Sequence, residues 1–302
     1  MTMRVATFAL SDQMIAAALR TQSIMANEQI QESSGVKSQD FAGYGADTQS
    51  VVNLQVSVTR AQSYIDASTL ADSKVQAMYS AVGSMTTLIT NLRSQLSAAT
   101  TGSSSSTASL ISSAKDMLQE MGSLLNTQYD GEYVFGGADV TTAPVDLSSF
   151  SSGSGSLTTA DTSYYQGDSE IASVKVADNQ TVDYGVTADN SAFEQTMRLL
   201  KFIANSTSLS SSDVSQALDL ASSALDATST VQAQLSSASS QIEAASSRQT
   251  DYKNYASTLA SDLTSVDVAA VTAQLSTYQA QLTASYSAIS KIQSLNLADY
   301  LR

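Results

Sequence analysis

The 302-residue chain contains no histidine, cysteine or tryptophan and only one proline. The lack of histidine and cysteine excludes an imidazole base, a thiolate nucleophile, a disulfide bond and a thiolate metal site within the chain. A hydrolase or transferase needs a nucleophile that is activated by a base or a metal. The sequence therefore predicts a protein that is not an enzyme, with no catalytic residues, no metal site and no cofactor.

Aspartate pairs are the remaining candidates for acid–base chemistry. Asp139 could pair with Asp146, and Asp161 could pair with Asp168. All four residues lie in a segment rich in glycine, serine and threonine, where acidic side chains usually face solvent. We expect them to be solvated loop residues.

The chain also has few large or charged side chains. Aromatic residues make up 6% and charged residues 14% of the sequence, which favours long helices packed through small residues over a compact enzyme. The formal net charge of -14 argues against nucleic acid and anionic lipid as partners, because both require a basic surface. No apolar run approaches the roughly 18 residues of a membrane span, so we predict no membrane insertion. The N-terminus lacks the basic and apolar regions of a signal peptide, which leaves cytoplasmic residence or export without a cleaved signal.

Heptad periodicity dominates the C-terminal part of the sequence. Two seams of mostly apolar residues are out of register across Leu263–Val268, which predicts a break in a long helix, with Thr264, Ser265 or Asp267 capping its restart. The first seam comprises Val231, Leu235, Ala238, Ile242, Ala245, Gln249, Tyr252, Ala256 and Leu259, and the second comprises Val271, Leu275, Tyr278, Leu282, Ser285, Ile289 and Ile292.

The rest of the chain predicts further helices around a β-rich segment. An amphipathic helix with a broad apolar stripe runs from Met3 to Ile30, and a glycine-containing loop follows it. Alternating residues after Asp130-Gly131 indicate β-structure. The predicted elements beyond the first helix are a long helix at 47–98, a return helix at 110–125, a short strand at 163–166, a hairpin formed by 171–176 and 181–184, and a helix that begins at Ser191.

These elements define a mainly α fold with a small β insert, in which the N- and C-terminal regions form a long antiparallel helical bundle or coiled coil. The predicted divisions are an N-terminal assembly helix and loop at 1–44, a long helical hairpin at 45–129, the β-rich insert at 130–190, return helices at 191–265 and a C-terminal assembly helix at 266–302. A long helix with one apolar stripe cannot bury that stripe alone, so each end of the chain requires a partner.

Three motifs resemble segments of the flagellin-like axial proteins of the bacterial flagellum, and within them the hook-filament junction group. Residues 128–137, Gln-Tyr-Asp-Gly-Glu-Tyr-Val-Phe-Gly-Gly, are similar to the segment that opens the β region in that group. Residues 165–168, Tyr-Gln-Gly-Asp, are similar to its next strand motif, and residues 294–301, Ser-Leu-Asn-Leu-Ala-Asp-Tyr-Leu, to its closing residues. The loop at 33–45 departs from the group because it lacks a lysine-arginine and paired-acid run.

The resemblance implies a structural subunit of the flagellum that joins hook to filament through coiled-coil and head-to-tail packing. Its implied partners are further copies of itself, a neighbouring hook-associated protein, flagellin and an export chaperone, and its implied location is the extracellular flagellum. A filament-forming flagellin and a helical surface adhesin remain as alternatives. The predicted assembly interface consists of Val5, Phe8, Leu10, Met14, Ile24, Val271, Leu275, Tyr278, Leu282, Tyr286, Ile289, Ile292, Leu295, Leu297, Tyr300 and Leu301.

Overall fold

The computed structural model describes residues 2–100, 104–150 and 156–294. The chain divides into a terminal unit, Met1–Thr59 with Lys253–Arg302, and a middle unit, Arg60–Tyr252. The α-helices of the described residues are α1 (Thr2–Ser34), α2 (Thr48–Thr100), α3 (Ser104–Leu125), α4 (Ser191–Asn205), α5 (Ser211–Thr264) and α6 (Val268–Ser294). The strands are β1 (Gln128–Tyr129), β2 (Glu132–Tyr133), β3 (Ser173–Ala177) and β4 (Gln180–Asp183). The predicted mainly α fold with a small β insert is confirmed.

The long helices are rich in serine and threonine, which are weak helix formers because their hydroxyls compete for backbone hydrogen bonds. Here many of these hydroxyls donate back to the carbonyl four residues earlier in the same helix. Thr86 Oγ1 donates to Val82 O at 2.9 Å, and the buried Thr228 Oγ1 donates to Ala224 O at 2.7 Å. Small polar residues such as Thr86 and Thr228 can therefore occupy helix surfaces and seams with their hydroxyls paired.

The predicted break between the last two helices is confirmed, and Asp267 is the residue that caps the restart. α5 ends at Thr264 and α6 begins at Val268. Asp267 Oδ1 accepts hydrogen bonds from the amides of Ala269 at 2.9 Å and Ala270 at 3.1 Å, which are free donors at the helix N-terminus.

The middle unit contains one hydrophobic core, to which α2, α3, α4, α5 and the β insert all contribute. Phe135 from the insert and Phe193 from α4 are fully buried and meet edge to face, with ring centroids 5.7 Å apart. Aromatic contacts of this geometry add to the stabilisation from burial. The large side chains at the centre of this core are Met78, Met85, Leu92, Leu96, Leu110, Met121, Leu125, Met197, Leu200 and Ile203.

Two antiparallel hairpins form the β insert. Asp130 and Gly131 connect β1 to β2, both with positive φ (52° and 81°), as a two-residue hairpin turn requires. In the second hairpin, Val174 of β3 faces Val182 of β4, which confirms the predicted pairing of these segments.

A charged cluster anchors the insert to α4. Lys201 Nζ, which is almost fully buried, lies 2.9 Å from Asp161 Oδ2 and 3.9 Å from the centroid of the Phe150 ring. The buried carboxylate of Glu194 accepts from the amide of Asp161 at 2.8 Å and pairs with Arg198 at 3.1 Å. Because each buried charge has an opposite charge beside it, the cluster holds the loop before Tyr164 without an uncompensated ion.

Two local predictions were wrong. Residues 41–47, predicted as part of a loop, form 3₁₀ turns over Phe41–Asp47 that are interrupted by a non-helical Gly45 (φ 56°, ψ -121°). Residues 163–166, predicted as a strand, form only a single bridge between Tyr165 and Val145. The amide of Tyr165 donates to Thr162 O within a turn, and the buried Tyr164 hydroxyl donates to Ala188 O, so the segment is held by side-chain burial and a turn without a continuous ladder.

Candidate assembly interface

In the terminal unit, α1 packs against α6 through one heptad face of each helix. The α1 residues with reduced exposure recur at steps of four and three: Met14, Ala18, Thr21, Met25, Glu28 and Glu32. The corresponding α6 residues are Val271, Leu275, Tyr278, Leu282, Ser285, Ile289 and Ile292. A direct bond at one end of this face joins Thr272 Oγ1 to Glu32 Oε1 at 2.8 Å.

Backbone bonds fasten the loop after α1 to the break between α5 and α6. Val36 forms an antiparallel bridge with Ser265, in which the amide of Lys37 donates to Thr264 O at 2.8 Å and the amide of Val266 donates to Gly35 O at 3.0 Å. Lys37 Nζ also donates to Leu263 O at 2.8 Å, where a cation complements the negative end of the α5 dipole. These bonds fix which turn of α1 faces which turn of α6.

Apolar residues of α1 outside the face that contacts α6 remain exposed. Ile15 and Leu19, each one residue after a member of the face that contacts α6, are 39% and 59% exposed. Ile24 and Ile30 are exposed as well, at 43% and 47%. Ile15 and Leu19 lie about 100° around the helix from the Met14–Ala18 face, and Ile24 lies on the other side of that face, so α6 leaves apolar surface of α1 exposed.

Exposed large hydrophobic residues are concentrated in the terminal unit. Of the described residues of this kind, all but Leu70, Tyr79, Ile171 and Tyr252 belong to it, whereas the hydrophobic core lies within the middle unit. Contiguous exposed apolar surface on a protein usually marks an interaction site. The terminal-unit residues are Ile15, Leu19, Ile24, Ile30, Phe41, Val52, Val56, Tyr255, Leu259, Val268 and Tyr286.

The structure divides the predicted interface residues into three groups. Those with reduced exposure on the faces shared by α1 and α6 are Met14, Val271, Leu275, Tyr278, Leu282, Ile289 and Ile292. Ile24 and Tyr286 are exposed, the latter at 51%. The predictions for the side chains of Val5, Phe8 and Leu10, and for Leu295, Leu297, Tyr300 and Leu301 as a whole, lie outside the described part of the chain.

Sequence reasoning omitted Ile15, Leu19 and Ile30 from the interface, although a signal for them exists. Ile15 and Leu19 occupy positions one residue after Met14 and Ala18, and Ile30 belongs to the broad apolar stripe that the sequence shows on this helix. On α5 the residues of the predicted seam become more exposed after Ala245. Ala256 is buried, but Tyr252 and Leu259 keep 49% and 37% of their surface exposed.

The acidic residues considered for catalysis have local structural contacts. Asp139 Oδ1 accepts from the amides of Thr141 and Thr142, both at 3.1 Å, and these bonds with the threonine hydroxyls lower its pKa to about 2. Asp168 accepts from the amides of Ala138, Asp139 and Glu170, which also lowers its pKa. Asp146 accepts from Ser148 and Ser149 in another turn. Carboxylates held by several donors in this way stabilise turns.

Among residues 2–100, 104–150 and 156–294, no group of three or more acidic side chains is placed to hold a metal ion. Over the same residues, no helix combines the length and apolar character needed to cross a membrane.

Both terminal regions of the chain match models of a known family. The sequence matches the bacterial flagellin N-terminal helical region over residues 5–139 and the bacterial flagellin C-terminal helical region over residues 218–301. Together the two regions cover more than two thirds of the chain. The chain belongs to the flagellin family. As a member of it, the protein is a structural component of the bacterial flagellum. A search of curated proteins found no match.

Among three solved structures that align with this chain, one has a similar fold, and the other two align with TM-scores below 0.5. A protein assigned as a flagellar hook-associated protein from Vibrio parahaemolyticus aligns with a TM-score of 0.59 and 15% identity, over 72% of this chain and 97% of that one. FlgL from Bacillus cereus aligns with a TM-score of 0.46 and 12% identity, over 72% and 98% of the two chains. Flagellar hook associated protein-3 from Legionella pneumophila aligns with a TM-score of 0.45 and 14% identity, over 72% and 97%.

Proposed function

We propose that this flagellin-family protein is a junction subunit that joins the flagellar hook to the filament. The observation that carries the assembly role is that exposed large apolar residues are concentrated in the terminal unit, whereas the middle unit has its own core. The motifs at 128–137, 165–168 and 294–301 and the fold shared with a protein assigned as hook-associated support a junction subunit over a filament subunit.

The assembly surface is the set of apolar faces on the terminal helices. The exposed apolar surface of α1 that includes Ile15 and Leu19 would pack against helices of neighbouring subunits, because burial of several large apolar side chains is the main driving force of association. The charged residues of α6 are limited to Lys291, so it brings almost no charge into a contact between copies. Such contacts are head to tail, with different surfaces meeting on the two sides of each subunit.

The proposed partners follow from this position. One neighbour would be a hook-associated protein and the other flagellin, with copies of the same chain beside it in the layer. The exposed apolar helices would need protection before assembly, which supports an export chaperone and a route to the cell exterior without a cleaved signal peptide.

Seeded assembly tests the junction role. Purified full-length protein is added to isolated hook fragments that carry the preceding hook-associated protein, and growth is followed by electron microscopy. A junction subunit should add a thin, self-limiting layer, because its outer surface fits a different protein. Continuous growth into micrometre filaments would instead identify a filament flagellin, and no addition to the hooks would favour a binding module.

A further inference from the structure

The β3–β4 hairpin contacts both long helices of the middle unit, α2 and α5, near the same end of that unit. On α2, Arg60 Nη1 and Tyr64 Oη contact the two carboxylate oxygens of Asp178, at 3.1 and 2.7 Å. On α5, Gln249 Nε2 donates to Val176 O at 3.2 Å and Arg248 Nη2 donates to Gln180 Oε1 at 3.3 Å. The turn of one short hairpin therefore contacts α2 and α5 together.

The two helices have little hydrophobic core of their own at this level. Between Arg60 and Lys74, the buried residues of α2 are Ala61, Ser68 and Ala71, and the first large one is Val75. On α5 the last large buried residue is Ile242, after which Ala245 and Ala256 are buried. Alanine and serine bury little apolar area, so the contact of these helix segments gains little stabilisation from burial.

The hairpin supplies the buried apolar area that these helix segments lack. Val174, Val176 and Val182 form its buried face and belong to the same core cluster as Ala71 and Ala245. The opposite face carries Ser173, Lys175, Thr181 and Asp183, all exposed. The valines add buried apolar area next to the small residues of the two helices. Polar groups of the hairpin form hydrogen bonds with side chains of both helices.

We propose that the β3–β4 hairpin is a brace that holds α2 and α5 together at the end of the middle unit, with Asp178 as its central residue. Beyond this level both helices continue into the terminal unit, at Thr59 and at Lys253. The brace thus gives the insert a role within the monomer that does not depend on the proposed assembly.

Amide exchange of the full-length monomer tests the brace with a matched pair of variants. Asp178→Ala removes the acceptor for Arg60 and Tyr64, whereas Asp183→Ala makes the same charge change at an exposed position of the same hairpin. We expect exchange at residues 60–65, 173–183 and 246–252 to become roughly three- to tenfold faster in Asp178→Ala, because one hydrogen bond and one exposed ion pair are lost. Exchange at residues 82–92 should stay unchanged, and Asp183→Ala should resemble the wild type.

Equal exchange in the two variants, or uniformly faster exchange through the core in Asp178→Ala, would overturn the proposal. Tyr64→Phe provides a milder second measurement, since it removes one hydroxyl and keeps the ring. Combined with Asp178→Ala it should add no further acceleration, because the bond it breaks is already absent. Additive effects of the two substitutions would contradict a shared brace.

Discussion

At the scale of single residues, one turn of the β insert requires the backbone of Gly137 to lie close to the carboxylate of Asp168. Gly137 has φ 78°, and a Cβ atom built on it would lie 2.2 Å from Asp168 Oδ1. Asp168 in turn accepts amides from Ala138, Asp139 and Glu170. The glycine and the aspartate of two motifs that are thirty residues apart in sequence thus form one turn.

Gly137→Ala should destabilise the protein by about 2 to 3 kcal/mol, because it combines a left-handed backbone with displacement of the Asp168 carboxylate. Gly131→Ala is the matched control. Gly131 has φ 81° but open space around its Cβ position, so its substitution should cost about 1 kcal/mol. Urea unfolding of the two variants measures the difference. Equal destabilisation would mean that the contact with Asp168 contributes nothing.

Asp139 gives a pH-dependent prediction at the same scale. Its pKa is lowered from the ordinary 3.8 to about 2 by the Thr142 hydroxyl and the amides of Thr142 and Thr141. A lowered pKa stabilises the turn at pH values above the ordinary one, and this contribution is lost as the pH falls through about 2. Titration of the Asp139 carboxyl by NMR should give a midpoint near 2, and Thr142→Ala should move it upward. A midpoint near 4 in the wild type would show that these bonds do not persist in solution.

At the scale of elements, the α1/α6 contact is a heptad seam in which Glu28 and Glu32 are the charged residues of the α1 face. Leu282 is half-buried in the middle of that seam. Leu282→Asp should weaken the helix pair by about 2 kcal/mol and abolish assembly, because it introduces a charge without a partner among apolar residues. The middle unit should remain folded, since its core contains no residue of α6.

Gln281→Asp is the control for that variant. Gln281 is the preceding residue of α6 and is exposed, so the same new charge should leave the helix pair intact. Sedimentation of assembled material measures the loss of assembly, and circular dichroism of the monomer checks that the middle unit remains folded. Normal incorporation of Leu282→Asp into flagella would refute the assignment of this seam to the interface.

At the scale of the whole molecule, the two units differ in how they bury apolar surface. The middle unit has a core contributed by four helices and the insert, whereas the terminal unit leaves many large apolar residues exposed. An isolated pair of helices gains too little from one seam to offset the entropy of ordering two chain ends.

We therefore predict that residues 2–43 and 266–294 are largely disordered in the dilute monomer and become ordered on assembly. Amide exchange should show little protection in these two segments and strong protection in residues 75–96 and 193–203 of the same sample. Residues 75–96 and 193–203 provide the internal control. Strong protection of both ends in the dilute monomer would mean that the terminal unit is stable by itself.

Much of the local structure could be predicted from the sequence because it depends on near neighbours. Heptad spacing predicted the long helices, the change of register predicted the break before α6, and alternating residues predicted the hairpin of 171–176 and 181–184. In each case the signal and the structure involve residues within one or two turns of each other. The flagellin-like resemblance, which the family comparison supports, also rests on short contiguous motifs.

Contacts between distant residues were decided only by the tertiary structure. Met14 and Ile15 are adjacent and both apolar, yet Met14 belongs to the face against α6 and Ile15 is exposed, because α6 packs on the side of α1 that carries Met14. Asp178 appeared as a turn residue, but its partners Arg60 and Tyr64 lie 118 and 114 positions earlier. Periodicity describes the faces of one helix, whereas the partner of each face depends on how the whole chain packs.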